Sequence, residues 1–367
     1  MKIAKIETIP LRIPFSTGGP AGAAVWGKAG LQTVDSLIVA VTTDAGIVGW
    51  GETFGFTAIP AVKVAIDTIL APDCIGRDVA QRDKLSLDLQ KKFHVFGRSG
   101  AIIYGLSAID IALWDIAGKV TKQPVYQLLG GSSVTSLPCY ASLARYNEPD
   151  FVRKNVERAL SGGYRDLKLH EIDVNCISAA RETAGDDIGI MLDVNCPWTL
   201  REALDMAEKL RPFNLRWLEE PVWPPENYFG LAEVRRQAGI PIAAGENAST
   251  LMDFQHLLQA KAVDFIQPSP AKMGGFTELI KVFAMANAHN TTVRLHTFYD
   301  GPGLLAAVHA NAALGGPGAM VEWRYFDLEA QLYGDAIIPR NGAFAVPQGP
   351  GLGFEPNQEV IRKYRLA

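Results

Sequence analysis

Five short apolar segments between Leu167 and Thr297 each end in side chains that can bind a metal ion or transfer a proton. In chain order they read Leu167-Lys168-Leu169-His170, Met191-Leu192-Asp193-Val194-Asn195, Trp217-Leu218-Glu219-Glu220-Pro221, Ala243-Ala244-Gly245-Glu246-Asn247 and Val293-Arg294-Leu295-His296-Thr297. Asp193 and Glu219 are 26 residues apart, and Glu219 and Glu246 are 27 apart. A strand, a helix and two loops need about that many residues. Each carboxylate is therefore predicted at the C-terminal end of a successive parallel strand.

The same alternation of strand and helix continues on both sides of this stretch. Strands are predicted near 137–142, 165–169, 188–193, 215–219, 241–244, 263–266, 292–295 and 319–322. Helical patterns lie between them, for example at 201–211, 250–260 and 275–289. Eight such units indicate an α/β fold of the (β/α)₈ TIM barrel type, whose catalytic face is the C-terminal end of the strands.

The first third of the chain has a different pattern. Strand-like segments at 2–14, 33–43 and 47–54 precede a helical region at 58–120 with breaks near Pro72 and Gly97. Strands followed by helices are typical of a separate α+β domain. We place that domain at 1–125 and the barrel at 126–340. The remaining segment, 341–367, is rich in Pro and Gly and is expected to pack back onto the first domain.

Composition limits the class of protein. The 367 residues are 48% apolar and 20% charged, with a formal net charge of −4 and no long basic run, which argues against a nucleic-acid partner. None of the four cysteines forms a CxxC pair, as expected in a reducing compartment. No signal peptide and no uninterrupted membrane-spanning apolar run is found. We expect a cytoplasmic protein without a membrane partner.

The three evenly spaced carboxylates Asp193, Glu219 and Glu246 are the strongest chemical signal. A single acid after a strand is more often a helix cap. Three at near-equal spacing indicate instead a site of hard oxygen ligands suited to Mg²⁺. Glu220 should point to the other side of the chain from Glu219, so it is taken as a supporting group.

Two histidines are predicted on opposite sides of this metal site. Lys168 and His170 are two residues apart on a strand and face the same side, toward the catalytic mouth. Alternatively, they are a solvent-exposed lysine and a hydrogen-bonded core histidine. A nearby cation and Lys168 would both keep His170 a free base. His296 ends the seventh strand, across the mouth from His170.

Two further charged residues are candidate substrate ligands. Lys272, before Gly274 and Gly275, is either an anchor for an anion or a lysine at a helix N-terminus. Glu322 ends the eighth strand, where an acid facing the substrate is expected.

These residues resemble the enolase superfamily, specifically its mandelate racemase and muconate lactonizing enzyme branch. The resemblance covers nearly the whole chain. Its landmarks are Gly49-Trp50-Gly51-Glu52, the helix through 108–115, Pro124-Val125-Tyr126-Gln127-Leu128-Leu129-Gly130-Gly131 and Glu219-Glu220-Pro221. It implies an enolase-type α+β N-terminal capping domain over a modified barrel, with loops near 16–30 and 52–57 closing over the substrate. A homo-oligomer is also implied.

The resemblance also implies a chemistry. Asp193, Glu219 and Glu246 match the family's Mg²⁺ ligands, and Asn195 and Glu322 match positions that contact the substrate carboxylate or the metal shell. Lys272 matches a lysine of the racemase pattern. The resemblance thus implies removal of the proton α to a carboxylate, with formation of a Mg²⁺-stabilised enediolate. The cation neutralises charge as it develops on the substrate.

Two departures from the racemase pattern bear on the reaction. The second strand carries Lys168-Leu169-His170 where the racemase has Lys-x-Lys, so His170 stands at the position of the base. Ser269 stands where the racemase has an Asp behind the strand-seven histidine, so His296 lacks a carboxylate partner.

We therefore expect a Mg²⁺-dependent lyase that dehydrates a hydroxy acid, a sugar acid or a derived lactone. His170 would take the α-proton and His296 would protonate the departing oxygen. The alternatives are a racemase or epimerase with two histidine bases, a cycloisomerase acting on a lactone or anhydro ring, and a noncatalytic metal-binding barrel. In each enzymatic case the partner is a small-molecule carboxylate or its lactone.

Overall fold

The computed structural model describes residues 1–19, 33–131 and 133–366. Most of the loop near 16–30 that the family resemblance implies lies outside the described residues. Its first position, Ser16, is the last residue of the first strand.

The described elements follow the predicted order, and they are numbered here along the chain. The strands are β1 (Ile3–Ser16), β2 (Thr33–Thr43), β3 (Val48–Thr53), β4 (Ser136–Ser142), β5 (Asp166–Leu169), β6 (Gly189–Asp193), β7 (Trp217–Glu219), β8 (Ile242–Ala244), β9 (Phe265–Ile266), β10 (Thr292–Val293), β11 (Val321–Arg324), β12 (Asp327–Leu328) and β13 (Ala343–Ala345). The α-helices are α1 (Ile59–Ala65), α2 (Ala71–Cys74), α3 (Arg82–Phe93), α4 (Ala101–Thr121), α5 (Val125–Leu128), α6 (Pro149–Ser161), α7 (Val174–Ala184), α8 (Leu200–Leu210), α9 (Tyr228–Ala238), α10 (Leu251–Gln259), α11 (Gly275–Ala288), α12 (Pro302–Leu314) and α13 (Gln358–Tyr364).

The N-terminal domain is an antiparallel sheet covered by helices. Its strand order is β12-β1-β2-β3. The predicted helical break near Gly97 separates α3 from α4, and Gly97 has a φ of +104°. The break predicted near Pro72 falls two residues later, after Cys74, where the continuous helical run that includes α1 and α2 ends.

Two glycines let β3 pack closely on α4. A Cβ atom at Gly51 would lie 1.8 Å from the carbonyl oxygen of Ala108, and one at Gly49 would lie 2.1 Å from that of Ala112. No side chain fits at such distances, so the Gly-Trp-Gly-Glu sequence serves close backbone packing.

Helix α4 is the central helix of this domain. By length and composition it is the one described helix that could cross a membrane, and 78% of its most apolar window is buried inside the protein. Its apolar surface is therefore used to form the domain core between the sheet and the other helices.

The barrel contains eight parallel strands, as predicted. Their hydrogen-bonded order is β10-β9-β8-β7-β6-β5-β4-β11, and each neighbouring pair is parallel. The strands begin and end within a few residues of the predicted bounds. The chain thus has the predicted α/β fold, a modified (β/α)₈ TIM barrel with an enolase-type α+β N-terminal domain.

Hydrogen bonds between Thr297 and Glu322 join the seventh and eighth strands of the barrel. Among the described residues, β10 and β11 share no ladder of backbone hydrogen bonds. Instead, Thr297 donates its backbone N–H to Oε2 of Glu322 at 2.9 Å and its hydroxyl to the carbonyl oxygen of Glu322 at 2.8 Å. The eighth strand is therefore connected to the seventh through Glu322.

The segment after residue 340 contacts both parts of the chain. Strand β13 pairs antiparallel with β4 of the barrel. Farther on, Leu352 donates its backbone N–H to Asp115 at 2.8 Å, and Leu366 donates to the carbonyl oxygen of Pro10 at 2.9 Å. The segment therefore contacts the first domain and also adds a strand beside β4 of the barrel.

Candidate active site at the mouth of the barrel

Three carboxylates meet at the C-terminal ends of adjacent strands. Asp193 ends β6, Glu219 ends β7 and Glu246 follows β8 by two residues. Each offers one oxygen, and these oxygens all lie within 4.8 Å of one another. All three side chains are buried. A buried set of oxygen ligands at this spacing suits a divalent cation such as Mg²⁺.

The electrostatics of the cluster favour a bound cation. Burial, and next the charge of Asp193, raise the pKa of the Glu219 carboxyl well above its usual range. Burial alone would also raise the pKa of Glu246, but the charges of His296 and Lys272 lower it to about 2. A divalent cation would relieve the repulsion between Asp193 and Glu219, so the donor set fits the predicted metal.

Lys168 lies beneath the carboxylate cluster. Its Nζ is 2.7 Å from Glu322, 3.0 Å from Glu219 and 3.4 Å from Asp193. Burial acts to lower the pKa of Lys168, but Glu219 and Glu322 together raise it well above its usual value. The lysine is therefore a fixed positive charge held between the metal-site acids.

Glu322 differs from its predicted orientation. We expected an acid facing the substrate, but the side chain is fully buried, with one oxygen paired to Lys168 and the other bound to the N–H of Thr297. Because both oxygens are engaged below the mouth, Glu322 is placed to hold Lys168 rather than to contact a substrate.

His170 lies beside Asp193. Its Nδ1 is 2.6 Å from the carbonyl oxygen of Leu143. A carbonyl oxygen only accepts hydrogen bonds, so Nδ1 carries the hydrogen. In the neutral ring Nε2 then carries the lone pair, and this atom is 3.4 Å from Oδ2 of Asp193. The tautomer of His170 is therefore that of a base.

His296 lies on the other flank of the cluster, beside Glu246. Its Nε2 is 2.9 Å from Oε2 of Glu246, and its Nδ1 is 3.2 Å from Oγ of Ser269. The same Ser269 hydroxyl is hydrogen-bonded to the hydroxyl of Tyr299. Nδ1 of His296 thus contacts the hydroxyl of Ser269, which in turn contacts the hydroxyl of Tyr299. A histidine that acts as a base is usually supported at this position by a carboxylate.

Lys272 and Asn195 also reach the mouth. Lys272 precedes α11, but its Nζ lies 3.7 Å from Glu246 and 4.4 Å from the ring centroid of Phe54. The Lys272 side chain therefore lies at the mouth of the barrel, and its role as an anchor for an anion stays a prediction. Asn195 donates Nδ2–H to Asp193 at 2.9 Å and accepts from Arg145 at 3.2 Å.

Glu220, next to Glu219, has a backbone conformation that is uncommon for a non-glycine residue. Its φ is +48°, and both of its oxygens accept from Nδ2 of Asn247, at 2.9 and 3.0 Å. Glu220 is therefore bound to a neighbouring loop rather than to the metal cluster.

A cavity of about 440 Å³ opens above the cluster. The barrel contributes Asn195, Cys196, Glu220, Trp223, Pro225, Glu246, Asn247 and Lys272 to its lining, and the N-terminal domain contributes Phe54, Gly55, Phe56, Thr57 and Tyr104. Most of the 52–57 segment thus lies in the cavity wall. A larger surface groove of about 640 Å³ beside α9 contains none of the predicted site residues.

Sequence reasoning missed several groups at the mouth. Arg145 follows the first barrel strand and donates to the backbone oxygen of His170. Glu171 accepts the backbone N–H of Tyr146 at 2.6 Å, which ties together the loops after β4 and β5. The ends of the first two barrel strands could have been searched for these residues. The contact of Tyr299 with Ser269 has no comparable signal, because it depends on how two loops fold.

Comparison with known proteins identifies the family. Residues 24–130 match the N-terminal domain of mandelate racemase / muconate lactonizing enzyme, and residues 151–360 match the enolase C-terminal domain-like family. An arabinonate dehydratase of Saccharolobus solfataricus is 32% identical over 335 residues, 89% of each chain. A 3,6-anhydro-alpha-L-galactonate cycloisomerase of Streptomyces coelicolor is 31% identical over 94% of this chain and 92% of its own.

A solved structure adds a metal-bound relative. The crystal structure of a racemase from Streptomyces coelicolor with bound magnesium is 29% identical and superposes with a TM-score of 0.86, covering 99% of this chain and 100% of that chain. Relatives named as dehydratases are lyases, and relatives named as cycloisomerases are isomerases. The protein is accordingly an enzyme of the lyase or isomerase class. Its chain belongs to the enolase superfamily, in the mandelate racemase and muconate lactonizing enzyme branch.

Proposed function

We propose that the protein is a Mg²⁺-dependent enzyme that removes the proton α to a carboxylate and eliminates a β-hydroxyl, so that a hydroxy acid or sugar acid is dehydrated. The observation that carries this proposal is the pair of histidines on opposite flanks of the carboxylate cluster. Their Nδ1 atoms have different partners, a backbone carbonyl for His170 and a serine hydroxyl for His296. The two rings are therefore suited to different tasks.

Asp193, Glu219 and Glu246 would hold the metal. When bound, Mg²⁺ neutralises the negative charge that develops on the substrate carboxylate as the α-proton leaves. Lys168 is a fixed positive charge 3.0 Å from Glu219, and it would offset part of the negative charge of the ligands. Lys272 and Asn195 line the cavity and are proposed to orient the substrate.

His170 is the proposed base. The hydrogen bond from its Nδ1–H to Leu143 fixes the ring and leaves the lone pair on Nε2, which would take the α-proton. His296 is the proposed acid. In its protonated form Nε2 would give one proton to the departing hydroxyl, which leaves as water, and a neutral ring would remain.

The second candidate is a cycloisomerase that opens a lactone or anhydro ring. The same base would take the same proton, and His296 would protonate a ring oxygen in place of a hydroxyl. The cycloisomerase among the relatives supports this candidate. A two-base racemase or epimerase is less favoured, because His296 has Ser269 behind it where a carboxylate would stabilise the imidazolium. A cytoplasmic location and a homo-oligomeric state remain predictions.

The test is exchange of the α-proton in D₂O, followed by NMR, with a panel of sugar acids and their lactones. A dehydratase should incorporate deuterium and accumulate a 2-keto-3-deoxy acid from at least one acid. A cycloisomerase should convert a lactone or anhydro acid with no loss of water. Exchange without either product would support racemisation. Absence of exchange across the panel with Mg²⁺ present would contradict the proposal and favour a noncatalytic metal-binding protein.

A further inference from the structure

Glu52 is a buried acid of the N-terminal domain that binds the barrel. It lies in β3, and its side chain is only 3% exposed. Its Oε2 accepts the backbone N–H of Gly301 at 3.1 Å and that of Gly303 at 2.9 Å. Gly301 is the N-cap residue of α12 and has no side chain that could accept the N–H groups of the first turn. Glu52 therefore caps this helix from the other domain.

The space at the start of α12 is occupied by this acid. A Cβ atom at Gly301 would lie 2.8 Å from Oε2 of Glu52, and one at Gly303 would lie 3.1 Å from it. A side chain at the N-cap position would therefore meet the carboxylate. The two glycines and Glu52 thus fit one another as a set.

The barrel side of the contact is held without Glu52. Asp300, directly before the N-cap residue of α12, forms an ion pair with Arg324 of β11. Thr297 donates two hydrogen bonds to Glu322 of the same strand. Because the loop before α12 is attached to β11 at two points, it provides a fixed base to which Glu52 is bound.

The segment that follows Glu52 forms part of the cavity wall and faces the proposed catalytic groups. Phe54 donates its backbone N–H to the carbonyl oxygen of Ala271 at 3.2 Å. Its ring centroid lies 4.4 Å from Nζ of Lys272 and 6.2 Å from the ring centroid of His296. Since Phe54 is only two residues from Glu52, a displacement of Glu52 would also displace this ring.

We propose that Glu52 is a positioning residue that, by capping α12, fixes residues 54–57, the wall segment, against the barrel loop that follows His296. Glu52 does not line the cavity, so it would act without touching the substrate. The inference rests on the proposed function only for its effect on turnover, because a displaced wall would admit water and misplace a bound substrate. Its effect on the wall segment itself requires no substrate.

The test is hydrogen–deuterium exchange of the backbone amides, measured by mass spectrometry on the whole protein without substrate. Glu52→Ala removes the acceptor. Exchange in the wall segment and in the first turn of α12 should then become about tenfold faster, because loss of a cap lowers the free energy of local opening. Glu52→Gln keeps an acceptor oxygen and should exchange within about twofold of the wild type.

A double variant separates positioning of the wall from capping of the helix. Glu52→Ala combined with Gly301→Ser empties the space that the carboxylate occupied and places a hydroxyl at the N-cap of α12. Slow exchange should return in the first turn of α12, while the wall segment should remain fast.

Asp110→Ala is the matched control. Asp110 is another buried acid of the N-terminal domain, and it accepts the backbone N–H of Thr277, in the first turn of α11, at 3.0 Å. Its loss should speed exchange in α11 and leave the wall segment slow.

Three results would overturn the inference. The first is a wall segment that exchanges as slowly in Glu52→Ala as in the wild type. The second is a wall segment that becomes slow again in the double variant, which would make Glu52 a helix cap only. The third is a wall segment loosened equally by Asp110→Ala, which would assign the effect to domain contact in general. If Glu52→Ala does not fold, Glu52→Asp, with its shorter side chain, replaces it under the same criteria.

Turnover gives a separate readout. On any substrate that the D₂O panel identifies, Glu52→Ala should lower kcat/KM about tenfold, with unchanged Mg²⁺ affinity and with recovery in Glu52→Gln. A protein that dehydrates no acid could still show the proposed amide exchange, and a dehydratase could lack it, so the two proposals fail independently.

Discussion

The Nζ atom of Lys168 lies 2.7 Å from Glu322, closer than to either of its other two carboxylate neighbours. Those two neighbours, Glu219 and Asp193, are the proposed metal ligands. Glu322 is therefore the partner that remains for the lysine when the metal is bound.

Glu322→Gln should weaken both the fold and the metal site. It removes one partner of a buried ion pair, which costs about 3 kcal/mol in comparable cases. Lys168 would then compete with Mg²⁺ for Glu219 and Asp193. The measurements are thermal unfolding and Mg²⁺ titration by calorimetry. Glu329→Gln is the control, because its pair with Lys363 is exposed and should be worth at most about 1 kcal/mol. Unchanged stability and Mg²⁺ affinity in Glu322→Gln would show that Lys168 does not depend on this contact.

Asp193→Asn, Glu219→Gln and Glu246→Gln should each abolish turnover and weaken Mg²⁺ binding sharply, since each replaces a charged oxygen ligand by a neutral one. Chelation with EDTA should inactivate the wild type, and added Mg²⁺ should restore it. Glu233→Gln is the control, because this acid is paired with Arg236 on the surface, and the variant should retain Mg²⁺ affinity. Wild-type rates under limiting Mg²⁺ in any of the three ligand variants would remove the metal assignment.

His170→Asn should lose α-proton exchange with every substrate. Removal of a general base typically costs about 10²–10⁴-fold in rate. Exchange is followed by NMR in D₂O, with His256→Asn as a control at an exposed position. If His170→Asn still exchanged the α-proton at the wild-type rate, another residue would have to be the base.

His296→Asn separates two steps of the reaction. The variant should stop the loss of water or the ring opening, because the leaving oxygen is no longer protonated. His170 should still exchange the α-proton of the bound substrate, since its own contacts are unchanged. The measurement compares deuterium incorporation with product formation in one sample. A variant that exchanges one enantiomer, beside a wild type that exchanges both, would favour the two-base racemase.

Asp110 should make stability fall as the pH rises. Burial raises its pKa to about 7 in the folded protein, against an ordinary value of 3.8. A raised carboxyl pKa contributes stability that is fully present below pH 3.8 and is lost as the pH rises through 7. The loss is at most roughly 1.4 kcal/mol per pH unit.

Asp110→Asn should remove this pH dependence. The free energy of unfolding of the variant should therefore rise relative to that of the wild type between pH 4 and 7. Denaturant unfolding at several pH values measures the difference. Asp88→Asn, at a partly exposed acid paired with Lys84 and Arg77, is the control. Parallel pH profiles for wild type and Asp110→Asn would contradict the expectation.

The order of the strands could be predicted because it depends on local patterns. Each barrel strand is a short apolar run followed by a polar residue, and the spacing of Asp193, Glu219 and Glu246 repeats the length of one βα unit. In parallel strands the C-terminal ends share one edge, so the clustering of the three acids follows from the topology. The fold class could be predicted from the same signal.

The orientation of side chains within the site could not be predicted in the same way. Glu322 and Tyr299 have sequence positions compatible with contact to a substrate, but both are turned to partners from other loops, Lys168 and Ser269. Such contacts depend on packing between distant segments rather than on strand periodicity.

The packing of Gly51 against Ala108 has a practical consequence for protein engineering. Three residues after Gly51 the same chain becomes the cavity wall, beginning at Phe54. The position of this wall thus depends on the close backbone contact between Gly51 and Ala108, which leaves no room for a side chain at residue 51. Mutant libraries aimed at a new substrate range should vary the side chains at Phe54, Phe56 and Tyr104, and they should keep both glycines, since any replacement there would displace the whole wall rather than reshape it.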